Sequence, residues 1–194
     1  MTGSFDILIV GIGGQGTILA SNILGKACLL EGRRVKGAET HGMAQRGGSV
    51  ESHIRIGGQF GPLIVPGQAD LLISFDLLEA LRYSHYLKRG GKMVVNKHLV
   101  LPTSVFTQKI AAPTEDEIIA KLKVHDLCLL DADTIASEAG SVLAQNVVML
   151  GAASGAIPLS PESLVAAVRS LVPPKTIEVN TKAFEMGRAF GRTC

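Results

Sequence analysis

D-I-L-I-V-G-I-G-G-Q-G, residues 6–16, carries a short apolar run straight into Gly11-x-Gly13-x-x-Gly16, with a helical pattern behind it. That order predicts a strand, a glycine turn and a helix. Gly11 supplies the tight turn, Gly13 lets the backbone approach a bound group, and Gly16 permits close packing of the helix on the strand; Gly14 and Gln15 complete the turn. The first turn of the helix offers free N–H groups and the positive end of its dipole to an anion. Two readings stay open: a cofactor phosphate in the crevice, or merely the close-packed opening of a β-α unit.

Working outward, Leu19, Ile23, Ala27 and Leu30 recur at helical spacing, and Glu31-Gly32-Arg33 stops the helix before an extended run around Val35, completing a β-α-β unit. Residues 40–49 are polar, glycine-rich and aperiodic, a loop that a parallel sheet would set near the glycine turn. From Val50 to Ile56 the pattern alternates, with Glu51, His53 and Arg55 on a wet or interfacial face; a turn at Gly57–Gly61 follows, and a short run near Leu63 is a candidate antiparallel partner. Leu71–Phe75, Met93–Asn96 and Leu127–Leu130 read as buried strands. Asp76 caps a helix through Leu78, Leu81 and Tyr86 to Lys88, ended by Gly90-Gly91, and Thr114 with Glu117 forms a capping box for a helix ending near Lys123. Further helical segments lie near Ile135, Met149 and Leu164; Pro173-Pro174 breaks the last, and a closing helix follows Asn180. Asp133, Ser160 and Asn180 read as caps. The expected fold is a three-layer α/β/α sandwich with a mostly parallel, Rossmann-like sheet and room for one antiparallel hairpin, in a single domain over 1–194.

Composition agrees. Of 194 residues 46% are hydrophobic but only 4% aromatic, with no Trp, so the core is aliphatic, as in a sheet covered on both faces. No apolar run approaches the roughly 20 residues of a membrane span, and the N-terminus lacks the regions of a signal peptide, which points to the cytoplasm. A net charge of +2 without a basic run gives no footing for nucleic acid. Cys28, Cys128 and Cys194 are too dispersed for a C-x-x-C site, and their odd number argues against a disulfide framework; they read as two buried thiols and a tail residue. No metal site is expected.

His41-Gly-Met-Ala-Gln45-Arg46-Gly47-Gly48-Ser49 gathers an imidazole, an amide, a guanidinium and a glycine pair into nine positions. Arg46 suits a bidentate phosphate or carboxylate, and Gly47 and Gly48 allow a close backbone approach by a ligand or a partner chain; the plain alternative is a surface loop. Glu39 ends the second strand, where a nucleotide-binding unit sets an acid on the ribose roughly 20 residues after the turn. Its spacing is somewhat long, and an exposed or interfacial carboxylate fits equally. Glu51, His53 and Arg55 form a structural ion network, and His85, His98 and His125 read as ordinary surface residues. The sequence lacks a G-x-S-x-G elbow, an H-E-x-x-H helix and a P-loop, which removes the commonest self-sufficient hydrolytic and phosphoryl-transfer chemistries.

Taken together, G-I-G-G-Q-G at 11–16, E-T-H-G-M-A-Q-R-G-G-S-V at 39–50, S-H-I-R-I-G at 52–57 and E-V-N-T-K-A-F at 178–184 resemble, in order, the gamma-type domain of 2-oxoacid:ferredoxin oxidoreductases. H-G-M-A-Q-R-G-G is most similar to the beta subunit of the indolepyruvate branch. The resemblance implies a complex that decarboxylates an aryl 2-oxoacid oxidatively, forms an acyl-CoA from CoA and passes electrons to ferredoxin. It implies a large alpha subunit holding thiamine diphosphate, Mg and 4Fe-4S clusters, because this chain lacks the G-D-G…N-N pattern and a cluster-binding cysteine set. This chain is then the smaller partner in a hetero-oligomer and is inactive alone. The rivals are a stand-alone NAD(P)- or flavin-dependent oxidoreductase and a non-catalytic scaffold.

Overall fold

The computed structural model describes residues 3–41, 48–102, 105, 107 and 111–194, which contain both strands and helices. Strand β1 (Phe5–Ile12) leads through the glycine turn into helix α1 (Thr17–Leu30), then β2 (Val35–His41), β3 (Ser49–Ile56), β4 (Ala69–Ser74), α2 (Leu77–Tyr83), β5 (Leu87–Asn96), α3 (Glu115–Leu122), β6 (Asp126–Leu130), α4 (Ala132–Ala139), α5 (Gln145–Ala153), α6 (Pro161–Leu171) and α7 (Ile177–Gly191). The six strands among the described residues form one sheet in the order β2-β3-β1-β4-β5-β6. β1, β4, β5 and β6 pair in parallel, whereas β3 runs antiparallel to both its neighbours, so five strands share one direction.

Alternation along each central strand feeds two cores. Ile7, Ile9, Leu71, Ile73 and Val94 point to the face covered by α1 and α4–α7, and Leu8, Val10, Leu72, Met93 and Val95 to the face covered by α2 and α3. β1 is buried on both faces because it has a strand on either side and a helix layer above and below. Among the described residues, the aromatic members of the largest fully buried side chains are Phe75 and Phe184, in line with the composition. Asp76, Thr114 with its capping box and Ser160 cap α2, α3 and α6, each accepting from backbone N–H groups of the first turn.

Several expectations need correction. β3 inserts between β1 and β2, so β1-α1-β2 is a crossover between strands that share a direction but do not touch. Residues 60–63 form no strand; the antiparallel partners of β3 are β1 and β2. Gly90 and Gly91 do not end a helix but lie inside β5, where the register against β4 shifts. The capping residue of α4 is Asp131 rather than Asp133. Asn180 lies within α7, where its side chain donates to the Thr176 carbonyl.

The cysteine reading is overturned as well. Cys128 on β6 and Cys194 are disulfide-bonded with Cα atoms 5.3 Å apart, and Cys28 stays a buried thiol. Sequence spacing could not show this, because 66 residues separate two positions that α7 brings together by packing on α4, α5 and α6. Thiol titration of the denatured, unreduced chain should therefore count one reactive cysteine, rising to three after reduction. Cys194→Ser should lower Tm by roughly 5–10 °C, the effect of losing a loop constraint worth about 2–4 kcal/mol in a chain of this size.

Candidate functional site

Ligands of open α/β sheets bind beyond the carboxyl ends of the strands, where the chain reverses its winding. Here that point lies between β1 and β4: α1 covers one face after β1, and α2 covers the other after β4. The glycine turn opens on it. Gly16, with φ +84°, caps α1 without any side-chain help, and a Cβ there would lie 2.6 Å from the Asn146 Nδ2. Gly11 is crowded too, by Gln15, Thr17 and Phe75.

Gln15 fills the seam. Its Oε1 accepts from the Ile12 amide at 2.7 Å and its Nε2 donates to the Phe75 carbonyl at 3.3 Å, tying the end of β1 to the end of β4. The Gly13 amide donates to the Gly48 carbonyl (2.9 Å), and the Gln15 amide closes the turn onto the Ile12 carbonyl (3.1 Å). Two amides of the turn are thus used within the protein, and no side chain caps the first turn of α1. Around it stand further carboxamides: Asn146 Nδ2 donates to the Gly16 carbonyl at 3.4 Å, and fully buried Asn96 accepts from the Ala132 amide and reaches Gln145.

Of the loop between β2 and β3, Gln45, Arg46 and Gly47 lie outside the described residues, as does the side chain of His41, whose backbone ends β2 opposite Val50. Its exit is fixed. Ser49 pairs with Ile12 across the strands and donates from Oγ to the buried Glu79 carboxylate, with Tyr83 Oη 3.2 Å away. Burial pushes the Tyr83 phenol above its ordinary pKa, against the Ser49 hydrogen bond. Below it, Glu51 lies 3.8 Å from His53, which is buried and accepts from the Ile64 amide at Nδ1. Burial holds the His53 pKa below its usual value, with Glu51 opposing. Arg55 does not join Glu51 and His53 in one network: its guanidinium is bidentate on Asp6, at 2.8 and 2.7 Å, across β1.

Glu39 sits apart, accepting from Ser21 of α1 (2.8 Å) beside a cleft of about 570 Å³ at the β2 edge. With β3 between them, β2 lies two strand spacings from β1, about 9.5 Å. A nucleotide-binding unit has those strands adjacent, so its ribose acid is not reproduced here.

Two features escaped the sequence reading. His98 pairs with Asp133 at 2.8 Å beyond the ends of β5 and β6, so neither is a lone surface residue or a cap. Asp76 does more than cap: its Oδ2 accepts from the Val100 amide, and burial raises its pKa despite three backbone hydrogen bonds. The available signal was position, since residues just past the carboxyl ends of parallel strands converge. Among the described residues no group of three or more His, Cys, Asp or Glu could hold a metal ion, and no helix is long and apolar enough to cross a membrane.

A family model of pyruvate ferredoxin/flavodoxin oxidoreductases matches residues 6–190. The chain belongs to this family. It is 42% identical over 190 residues to the IorB subunit of indolepyruvate oxidoreductase from Thermococcus kodakarensis, covering 94% of both chains, and 41% identical to the same subunit from Archaeoglobus fulgidus. It is 31% identical to the KorC subunit of 2-oxoglutarate synthase from Methanothermobacter thermautotrophicus. Among solved structures it is similar to the gamma subunit of a keto/oxoacid ferredoxin oxidoreductase from Geobacter sulfurreducens, with a TM-score of 0.73, 27% identity and coverage of 98% and 99% of the two chains. The same fold makes up 32% of the chain of a 2-oxoglutarate:ferredoxin oxidoreductase from Magnetococcus marinus (TM-score 0.76, 20% identity), which was solved with 2-oxoglutarate, coenzyme A and succinyl-CoA bound.

In this family member, then, the seam between β1 and β4 is closed by Gln15. Gln15→Leu, of similar bulk, leaves the Ile12 amide unsatisfied and should cost about 1–3 kcal/mol in chemical denaturation, whereas Gln15→Glu keeps the acceptor for Ile12 but sets a carboxylate oxygen against the Phe75 carbonyl, so it should recover stability only at a pH low enough to protonate it. His53 adds a pH dependence. Its folded pKa lies below the unfolded value of 6.5, so its contribution is complete above that value and is lost as pH falls through the folded pKa. Denaturation midpoints should drop below pH 6.5, and His53→Gln should flatten that drop.

Proposed function

We propose that the chain is the smaller, beta-type subunit of an indolepyruvate-type 2-oxoacid:ferredoxin oxidoreductase, acting as one domain over 1–194. The observation that carries this reading is the likeness to the IorB subunits at about 40% identity over nearly the full length of both chains. The reaction is oxidative decarboxylation of an aryl 2-oxoacid to an acyl-CoA, with CoA as co-substrate and ferredoxin as electron acceptor, in the cytoplasm.

The residues of this chain do not fit the groups such chemistry needs. The disulfide occupies two of its three cysteines, and the third is buried with its pKa pushed up to about 11, the reverse of a thiolate ready to ligate iron. Thiamine diphosphate, Mg and the 4Fe-4S clusters therefore belong to a larger alpha subunit. What this chain contributes is placement. Gly11, Gly13, Gly14, Gln15 and Gly16 shape a turn that leads into α1 without a side-chain cap, and His41, Gln45, Arg46, Gly47, Gly48 and Ser49 form the loop that meets CoA, the 2-oxoacid or the partner. Glu39, held by Ser21 at the β2 edge, stands apart from this surface. The inward-turned amides of Gly13 and Gln15 and the displacement of β2 favour this reading over a stand-alone NAD(P) or flavin enzyme.

Turnover of an aryl 2-oxoacid with a viologen dye should require both subunits; activity from this chain alone would overturn the proposal. Arg46→Lys removes the bidentate fork while keeping the charge. It should lower kcat/KM for CoA or the 2-oxoacid by roughly one to two orders of magnitude, with assembly intact by size exclusion. Unchanged kinetics with weakened assembly would reassign Arg46 to the subunit interface.

A further inference from the structure

Between Ile56 and Asp70 no charged residue occurs: G-G-Q-F-G-P-L-I-V-P-G-Q-A, residues 57–69. Residues 57–68 adopt no helix or strand and present Phe60, Leu63 and Val65 at 77%, 62% and 63% exposure, while Ile64 between them is buried in the α2/α3 core. Three large apolar side chains at such exposure on one short segment are unusual on a surface meant only for water.

The segment is also held from beneath. Lys36 Nζ donates to the carbonyls of Gln59 (3.1 Å) and Phe60 (2.6 Å), and Arg55 donates to the Gly61 carbonyl while its other nitrogens grip Asp6. The Ile64 amide donates to buried His53, and the Gly67 amide to the His85 carbonyl at 3.0 Å. Pro62 and Pro66 restrict the backbone further. Two buried basic side chains, Arg55 and His53, thus support a segment whose own apolar groups face outward. Folding alone does not call for this, since polar side chains at 60, 63 and 65 would leave every one of these bonds in place. Fixing the backbone beforehand does reduce the entropic cost of binding.

We propose that residues 59–66 are a preorganised apolar finger that docks into an uncharged pocket on the larger subunit of the complex. This rests on the subunit reading above. The occupant follows from two observations: the relatives are named as subunits, and in the Magnetococcus enzyme the same fold is continuous with a chain about three times its length. The absence of charge on the finger specifies the chemistry of the contact, burial of an aromatic and two aliphatic anchors inside a polar rim, so salt should affect it little.

The test is co-expression of this chain with the larger subunit of its own organism, followed by sedimentation or surface binding of the purified pair. Phe60→Ser/Leu63→Ser/Val65→Ser should raise the Kd about tenfold or more and leave the Tm of the isolated chain unchanged, since all three side chains are exposed. Val124→Ser/Leu143→Ser, removing side chains at 81% and 84% exposure elsewhere, should leave the Kd as it is. Wild-type affinity in the triple variant would overturn the finger while sparing the subunit reading. Failure of the wild-type chain to bind any large subunit would overturn both. If the triple substitution instead split a homodimer of this chain and left the heterocomplex intact, the patch would belong to a second copy and the proposal would fall.

Discussion

The register of β3 against β1 is the constraint on which the other features depend. Asp6 stands directly opposite Arg55 at one end of the ladder and Ile12 opposite Ser49 at the other. The buried, bidentate Arg55–Asp6 pair resists any slip, because moving one residue would turn Arg55 to the other face and leave a carboxylate unpaired in the interior. Asp6 is itself held by its neighbour strand, its amide donating to Asp70, which pairs with Lys88. A single chain of charges therefore fixes the amino edge of three strands. The same register delivers Gly48 to the Gly13 amide and Ser49 to Glu79 at the carboxyl edge, so the loop exit is set by an ion pair at the far end of its strand.

Inserting β3 also changes what the glycine turn can do. In a dinucleotide-binding unit the turn, the helix end and the acid of the next strand converge on one ligand. Here the next strand in sequence is one place too far away, Glu39 is engaged by Ser21, and the seam is bridged by a neutral side chain of the turn itself. A turn built this way can still offer the α1 dipole to an anion, but the anion must come to the outside of the turn rather than into the seam.

Much of this was legible in the sequence, for physical reasons that differ by element. The apolar runs of β1, β4 and β5 announce strands buried on both faces, and Asp76, Thr114 and Ser160 announce helix starts, because these signals are local. Strand order is not local. Nothing in V-E-S-H-I-R-I says that it lies between β1 and β2, and the alternation that reads as one wet face is in fact capped by Ile64 and crossed by the Arg55–Asp6 pair. The Cys128–Cys194 bridge and the His98–Asp133 pair likewise join positions 66 and 35 residues apart. Of the site, the glycine turn and Ser49 could be found from motif spacing, whereas the partners that hold them, Phe75, Asn146, Glu79 and Tyr83, follow only from topology.

The far side of the crevice is stiffened by a device that composition gives no hint of. A Cβ on Gly151 of α5 would lie 2.1 Å from the Phe184 carbonyl, and one on Gly187 or Gly191 of α7 would lie 2.1 or 2.2 Å from the carbonyls of Val148 or Ala152. The two helices therefore meet backbone to backbone, a contact that only glycine permits and that has little room to slide. Cys194, just past the end of α7, is bonded to β6, so α5 is clamped between a helix and the sheet to which that helix is tied. Gln145 and Asn146 begin α5, and their carboxamides reach Asn96 and the Gly16 carbonyl. A rigid α5 thus keeps the polar rim of the glycine turn in place without a charged group of its own.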